Sequence, residues 1–203
     1  MSDQRIENLV NILHSMDQRA VQALTLGDYG AALETYLEIL KAEQTLHLEK
    51  ESGHTMLNIS NTLLLMNQPE KSLEYAEKAA SITAMMHDSD DNMNLHILKA
   101  NILGKMNRRT EAENILAKAL KTCKSNILCG RIELMLYNFY VQDKNKVKAR
   151  TSIDRSVRYF ELAGNDEYLM KALMARIQFF EANKQAYNAN GDRARLSTLM
   201  ASN

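Results

Sequence analysis

Small and apolar residues return along this chain in a helical pattern with a long period. Ala32, Tyr36 and Ile39 form an i, i+4, i+7 stripe. Ser72, Ala76 and Ala79 repeat it 40 residues later, Ala112, Leu116 and Ala119 after another 40, and Ala149, Ile153 and Ser156 after 37. That spacing puts each trio on one face of an α-helix. A second register moves with the first: Ala20, Ser60 and Ala100 are 40 apart, and Tyr137 follows 37 later. Two registers shifting together mark an internal repeat.

A helix breaker precedes each stripe: Gly27-Asp28, Asn67-Gln68-Pro69, Asn107-Arg108 and Lys144-Asn145. Gly and Asn tolerate the left-handed backbone that ends a helix, and Pro69 suits the first turn of the next. Each unit therefore reads as a helix pair with a tight turn. The pattern predicts helices over about 4–26 and 28–50, 52–66 and 69–86, 90–106 and 108–123, and 126–142 and 145–163. The stretch "GNDEY" at 164–168 then starts a long helix to about 189, followed by "NGD" and a short tail. A stack of pairs exposes an apolar face unless its end is closed. Leu169, Leu173, Ile177 and Phe180 fit that task, so 166–202 is expected to cap one all-α domain over 1–203, with pairs at 4–50, 52–86, 90–123 and 126–163.

The segments "GDYGAALETYLEIL", "NQPEKSLEYAEKAASI" and "NRRTEAENILAKAL" carry small residues at Ala32, Ser72 and Ala112, with Tyr36, Ala76 and Leu116 four later and Ile39, Ala79 and Ala119 three after those. In this the chain resembles the tetratricopeptide repeat family over roughly residues 10 to 160. The resemblance implies a right-handed superhelical solenoid of antiparallel helix pairs whose first helices line a concave groove that takes protein or peptide partners. The units depart from the family's usual length by about a turn per helix, as in the extended repeats of some bacterial peptide-sensing regulators. Met16, Met56, His96 and Glu133 stand where the family places a tryptophan, Arg19 and Lys99 where it is apolar, and Tyr137 where it is small.

Composition narrows the partners. Lys+Arg and Asp+Glu are both 25 of 203 residues, so no net positive field selects nucleic acid or an anionic membrane. One proline, seven glycines and no tryptophan agree with helix throughout. The opening "MSDQRIENLV" lacks a basic then apolar leader, and no run is long and apolar enough to span a bilayer, so a cytoplasmic location is expected.

No nucleophile elbow, phosphate loop or zinc-protease motif occurs, and neither an enzyme nor a cofactor is expected. "HLEKESGH" groups His47, Glu49, Glu51 and His54, but His14 and His54 are 40 apart, as are His47 and His87. Equivalent places on stacked pairs lie about 10 Å apart, too far to share a metal at about 2 Å; repeat inheritance explains them and no metal site is expected. The acidic run at 88–92 reads as a helix start. Cys123 and Cys129 lack the partners of a zinc or redox motif and read as reduced, partly buried thiols. The basic stretch 143–158, with Lys144, Lys146, Lys148, Arg150, Arg155 and Arg158, is read as solvated charge, a docking patch for an acidic partner being the alternative.

The functional signal is a ladder. Asn61, Asn101 and Asn138 share one place on the first helices of repeats two, three and four, where Val21 stands in repeat one. An asparagine amide offers one acceptor and two donors, the set needed to hold an extended peptide backbone. Asn58, one turn before Asn61, matches an asparagine that peptide-binding members of the resembled family use against the ligand. With Arg131, Lys105 and Gln142 these form the expected peptide-binding set. Asp17, His14, His54, Leu57, Leu64, Asn94, Ile97 and Leu134 are further candidates for the groove rim. The expected function is a noncatalytic protein interaction module. The alternative is the sensor part of a bacterial peptide-responsive regulator whose effector lies elsewhere. A homodimer through an uncapped end is also allowed.

Overall fold

A computed structural model describes the backbone of residues 2–86 and 89–202, without the side chains of 2–7, 83–86, 89 and 202. The expectations placed on His87 and Asp88 lie outside the described residues. Every described element is helical: α1 (Ser2–Thr25), α2 (Tyr29–Thr45), α3 (Glu49–Leu65), α4 (Pro69–Met86), α5 (Ser89–Lys105), α6 (Arg109–Thr122), α7 (Asn126–Gln142), α8 (Lys146–Ala163), α9 (Asp166–Ala182), a 3-10 turn (Ala186–Ala189) and α10 (Asn190–Ser202). The all-α expectation of consecutive helix pairs is met. The chain forms two compact units, Met1–Arg108 and Arg109–Asn203.

The expected breakers end helices, three of them through the glycine or asparagine that suits a left-handed turn. Gly27, Asn67, Asn107 and Lys144 all take positive φ, from 56° to 78°. At the first, Gly27 N–H donates to the Leu24 carbonyl at 3.1 Å and Asp28 N–H to the Ala23 carbonyl at 2.9 Å, which satisfies carbonyls the helix leaves unpaired. Asp28 and Asn145 then accept from Ala31 N–H and Lys148 N–H, capping α2 and α8.

Two boundaries differ from expectation. The second helix stops at Thr45, not 50, because His47 turns left-handed at φ 57° and Leu48 N–H closes back onto the Glu43 carbonyl. The helix from 166 stops at Ala182, not 189, because Lys184 does the same at φ 59°. Neither His nor Lys advertises that conformation, whose local cost is about 1–2 kcal/mol. The packing of the helix that follows outweighs it.

The repeating small residues all face inward. Ala20, Ala32, Ser60, Ser72, Ala100, Ala112 and Ala149 are fully buried. In the second pair the two serines bond reciprocally: Ser60 Oγ donates to the Ser72 carbonyl and Ser72 Oγ to the Ser60 carbonyl, each at 2.7 Å. The first repeat holds alanine at both places, Ala20 and Ala32, so hydroxyls and methyls answer the same need for burial. Tyr137, the large residue in this register, is buried with its hydroxyl donating to the Ala175 carbonyl at 3.0 Å, and so reaches α9.

The first unit packs Tyr36, Ile39, Leu40, Met56, Ile59 and Leu63 around Ala20, Ala32 and Ala79. A second cluster joins Leu64, Ala76, Leu95 and Ile102. The other unit centres on Ile153, Val157 and Phe160 of α8 with Leu169, Leu173, Ile177, Phe179 and Phe180 of α9. The segment from 166 is therefore part of this core. Charge fastens α10: Arg176 donates to both Asp192 oxygens, at 2.7 and 2.6 Å, and to Asp154 at 3.1 Å.

The cysteines are the clearest correction. Cys123 and Cys129 form a disulfide, with Cα atoms 5.9 Å apart, so they are not the reduced thiols expected. The chain leaving α6 turns back at once into α7, and Cys129, the fourth residue of that helix, faces Cys123 across the turn. Such a bond persists in an oxidising compartment and is kept reduced in the cytosol. The cytoplasmic expectation gains no support here, although no described helix is long and apolar enough to cross a membrane.

Candidate functional site

Asn61 on α3, Asn101 on α5 and Asn138 on α7 are exposed, while their neighbours Thr62, Ile102 and Phe139 are buried. None of the three amides makes a hydrogen bond among the described residues. Asn61 and Asn101 belong to the first unit and Asn138 to the second. Lys105 and Gln142 are exposed, Asn58 and Arg131 half-buried. Leu64 and Ile97, expected on a groove rim, are instead buried, because both fall on the inward side of their helices.

A cavity of about 530 Å³ opens in the first unit between α1 and α3, floored by the end of α2. It gathers four of the candidates from sequence: His14 and Asp17 from α1, and His54 and Asn58 from α3. His54 Nε2 lies 3.0 Å from an Asp91 carboxylate oxygen, and the His14 ring lies 3.0 Å from the Gln18 amide, so each histidine already has a partner. No group of metal-ligating side chains occurs among the described residues.

Glu43 is the residue the sequence reading missed. It lies on the floor of the cavity, 5% exposed. Thr55 Oγ1 donates to its Oε1 at 3.1 Å, and its Oε2 has no partner. Burial pushes the Glu43 carboxyl up to about 7; the Thr55 bond opposes this, while Glu51 and Asp17 add to it. One signal was available. Tyr36, Ile39, Leu40 and Glu43 continue one buried stripe, so a carboxylate stands where the helix faces inward.

The second unit has a comparable residue with a different outcome. Glu133, at the place of Met16, Met56 and His96, is 1% exposed, and burial raises its pKa. Ser152 and Arg155 oppose the shift, Arg155 Nη1 donating to Oε1 at 3.4 Å. Glu133 thus has a cation beside it, whereas Glu43 forms no ion pair among the described residues. Two more residues of the basic stretch are engaged locally, Arg150 pairing with Asp154 at 2.6 Å and Lys148 lying over the Tyr140 ring.

Glu43 ties stability to pH. Its proton is held more tightly in the folded chain than in the unfolded one, so its contribution is intact below about pH 4.5 and is lost as pH rises through about 7. The loss should amount to about 3 kcal/mol. Denaturant unfolding should show wild type weakening between these limits, with Glu43→Gln more stable than wild type near pH 8 and equal to it near pH 4. Parallel pH profiles for the two proteins would show that Glu43 is not the titrating group.

These features define an all-α helical-repeat protein with exposed amides on its first helices and an acidic cavity in its first unit. No protein-family model matches the chain, and no curated protein does. Among solved structures it is similar to BtubC (BKLC) from P. vanneervenii, at 16% identity and a TM-score of 0.76, over 95% of this chain and 81% of that one. It is also similar to a Rap protein complexed with competence and sporulation factor, at 12% identity and a TM-score of 0.80, over 93% of this chain. The chain spans 54% of the length of that Rap protein. At these identities the likeness is one of fold.

Proposed function

We propose that the chain is a noncatalytic interaction module of tetratricopeptide-like repeats that binds a peptide, or an extended segment of a partner protein, against the first helices of its repeats. The observation that carries this reading is the pair of exposed asparagines of the first unit, Asn61 and Asn101, at one register position and without side-chain partners among the described residues, a position that Asn138 repeats in the second unit. An asparagine placed for structure finds a neighbouring donor or acceptor, as Asn183 does by donating to the Phe179 carbonyl at 2.7 Å. An amide left open to solvent is ready to pair with the N–H and C=O of an incoming strand, independently of that strand's side chains. Asn58 at the cavity edge, with Arg131, Lys105 and Gln142, supplies further polar contacts.

Likeness to a Rap protein that was solved with a signalling factor supports a regulatory version of the same reading, in which the chain is the sensing part of a longer regulator. Both versions make the same demand on the asparagines. Asn58, Asn61 and Asn101 lie in one unit and are changed together to alanine. Thermal stability should stay within about 1 kcal/mol of wild type. Binding of the best peptide from a randomised array should weaken roughly thirtyfold, three backbone contacts being worth about 2 kcal/mol together. Lost stability with unchanged affinity of the folded fraction would assign these asparagines to the scaffold.

A further inference from the structure

We propose that the cavity between α1 and α3 is a receptor for a cationic group, a primary ammonium or a guanidinium, with Glu43 as its counter-ion. The proposal deepens the peptide reading, since the cation would be a lysine or arginine side chain of the bound segment, and it rests on that reading for the identity of the molecule that carries the charge.

The argument begins with an unsatisfied group. A carboxylate oxygen that is buried without a donor is costly, yet Glu43 Oε2 has none, although Thr55 serves its neighbouring oxygen. Every charged group around the cavity is accounted for. From α1 come His14 and Asp17, and from α3 come Lys50, Glu51 and His54. Both histidines are already partnered, His54 by a carboxylate. Lys50 is exposed and forms no ion pair among the described residues. Three carboxylates therefore line the cavity with one lysine at the rim, an imbalance of two negative charges when Glu43 is ionised that a single incoming positive charge halves.

The walls fit the rest of such a side chain. Val10, Leu13, Ile39 and Leu48 line the same cavity. Lysine and arginine carry an apolar stem below a charged head, and they settle where the stem lies on hydrocarbon while the head meets acceptors. A cation beside Glu43 also favours its charged form, so occupancy of the cavity releases a proton near neutral pH.

The probes are butylguanidinium and butylammonium, with butylurea as a neutral match for the first in shape, titrated against the full chain and followed by amide NMR. At about pH 8 both cations should produce saturable shifts at Glu43, Thr55 and Asn58, and butylurea should bind at least roughly tenfold more weakly. Affinity for the cations should fall severalfold at about pH 5, where Glu43 holds its proton. Glu43→Gln should reduce the cations to the level of butylurea, and Lys50→Met, which removes the competing lysine, should strengthen them. Equal binding of butylurea and butylguanidinium by wild type, or no saturable shift in this cavity, would overturn the proposal whether or not Glu43→Gln folds. Cation binding here with no peptide bound by the asparagine faces would overturn the peptide reading alone. Peptide binding that depends on the asparagines but shows no preference for lysine or arginine, with no response to the cations, would overturn this proposal alone.

Discussion

Phe160→Ala is expected to lower the stability of the second unit by about 4 kcal/mol, the range seen when a fully buried aromatic is cut to a methyl. Phe160 is 0% exposed, stacks on Tyr168 with ring centroids 5.2 Å apart, and lies against the backbone of α7 at Gly130. A Cβ on Gly130 would meet the Phe160 ring at 2.6 to 2.9 Å, closer than carbon atoms tolerate. Glycine at 130 thus exists to admit this ring. Gly130→Ala should itself destabilise by about 1–3 kcal/mol, despite the better helix propensity of alanine. In the Phe160→Ala background the sign should reverse, because the added methyl enters vacated space and the helix gains about 1 kcal/mol. Denaturant midpoints of the four proteins in this cycle measure the coupling. Additive effects would mean that α7 and α8 do not approach through this pair.

Removal of everything after Gly164 should unfold the second unit. Leu169, Leu173, Ile177, Phe179 and Phe180 are all buried, and at about 2 kcal/mol each they remove roughly 10 kcal/mol, comparable with the whole stability of a domain. The cut also leaves Ile153, Val157 and Phe160 without their covering helix, takes the Ala175 carbonyl from Tyr137 and takes Arg176 from Asp154. Far-ultraviolet circular dichroism should show lost helix, and sedimentation should show association through the bared face. A truncated chain that stays monomeric and melts as before would make α9 and α10 an appendage.

Much of the fold was legible because it is locally determined. A stripe such as Ala112, Leu116 and Ala119 specifies a helix and its inward face from residues within two turns. Gly27, Asn67 and Asn107 announce their left-handed turns through their own side chains, and the repeat reinforces each sign. His47 and Lys184 take the same conformation without announcing it, so the second helix ends early and the cap divides into α9 and α10. The exposure of Asn61, Asn101 and Asn138 was legible for the same reason as the core, because a fixed register carries exposure along with burial.

What the sequence determined by itself, then, is the helix pairs, their turns, their buried faces and the exposed register of Asn61, Asn101 and Asn138, all consequences of backbone preference and helical period. Only the tertiary structure decided the fate of groups whose energy depends on distant neighbours. Whether Cys123 and Cys129 join depends on how the end of α6 meets the start of α7. Whether a buried carboxylate is matched depends on which side chains other helices bring to it: α8 brings Arg155 to Glu133, while α1 and α3 bring Glu43 chiefly further carboxylates. Coulomb energy and desolvation are set by distances through space, which residue spacing along the chain does not encode.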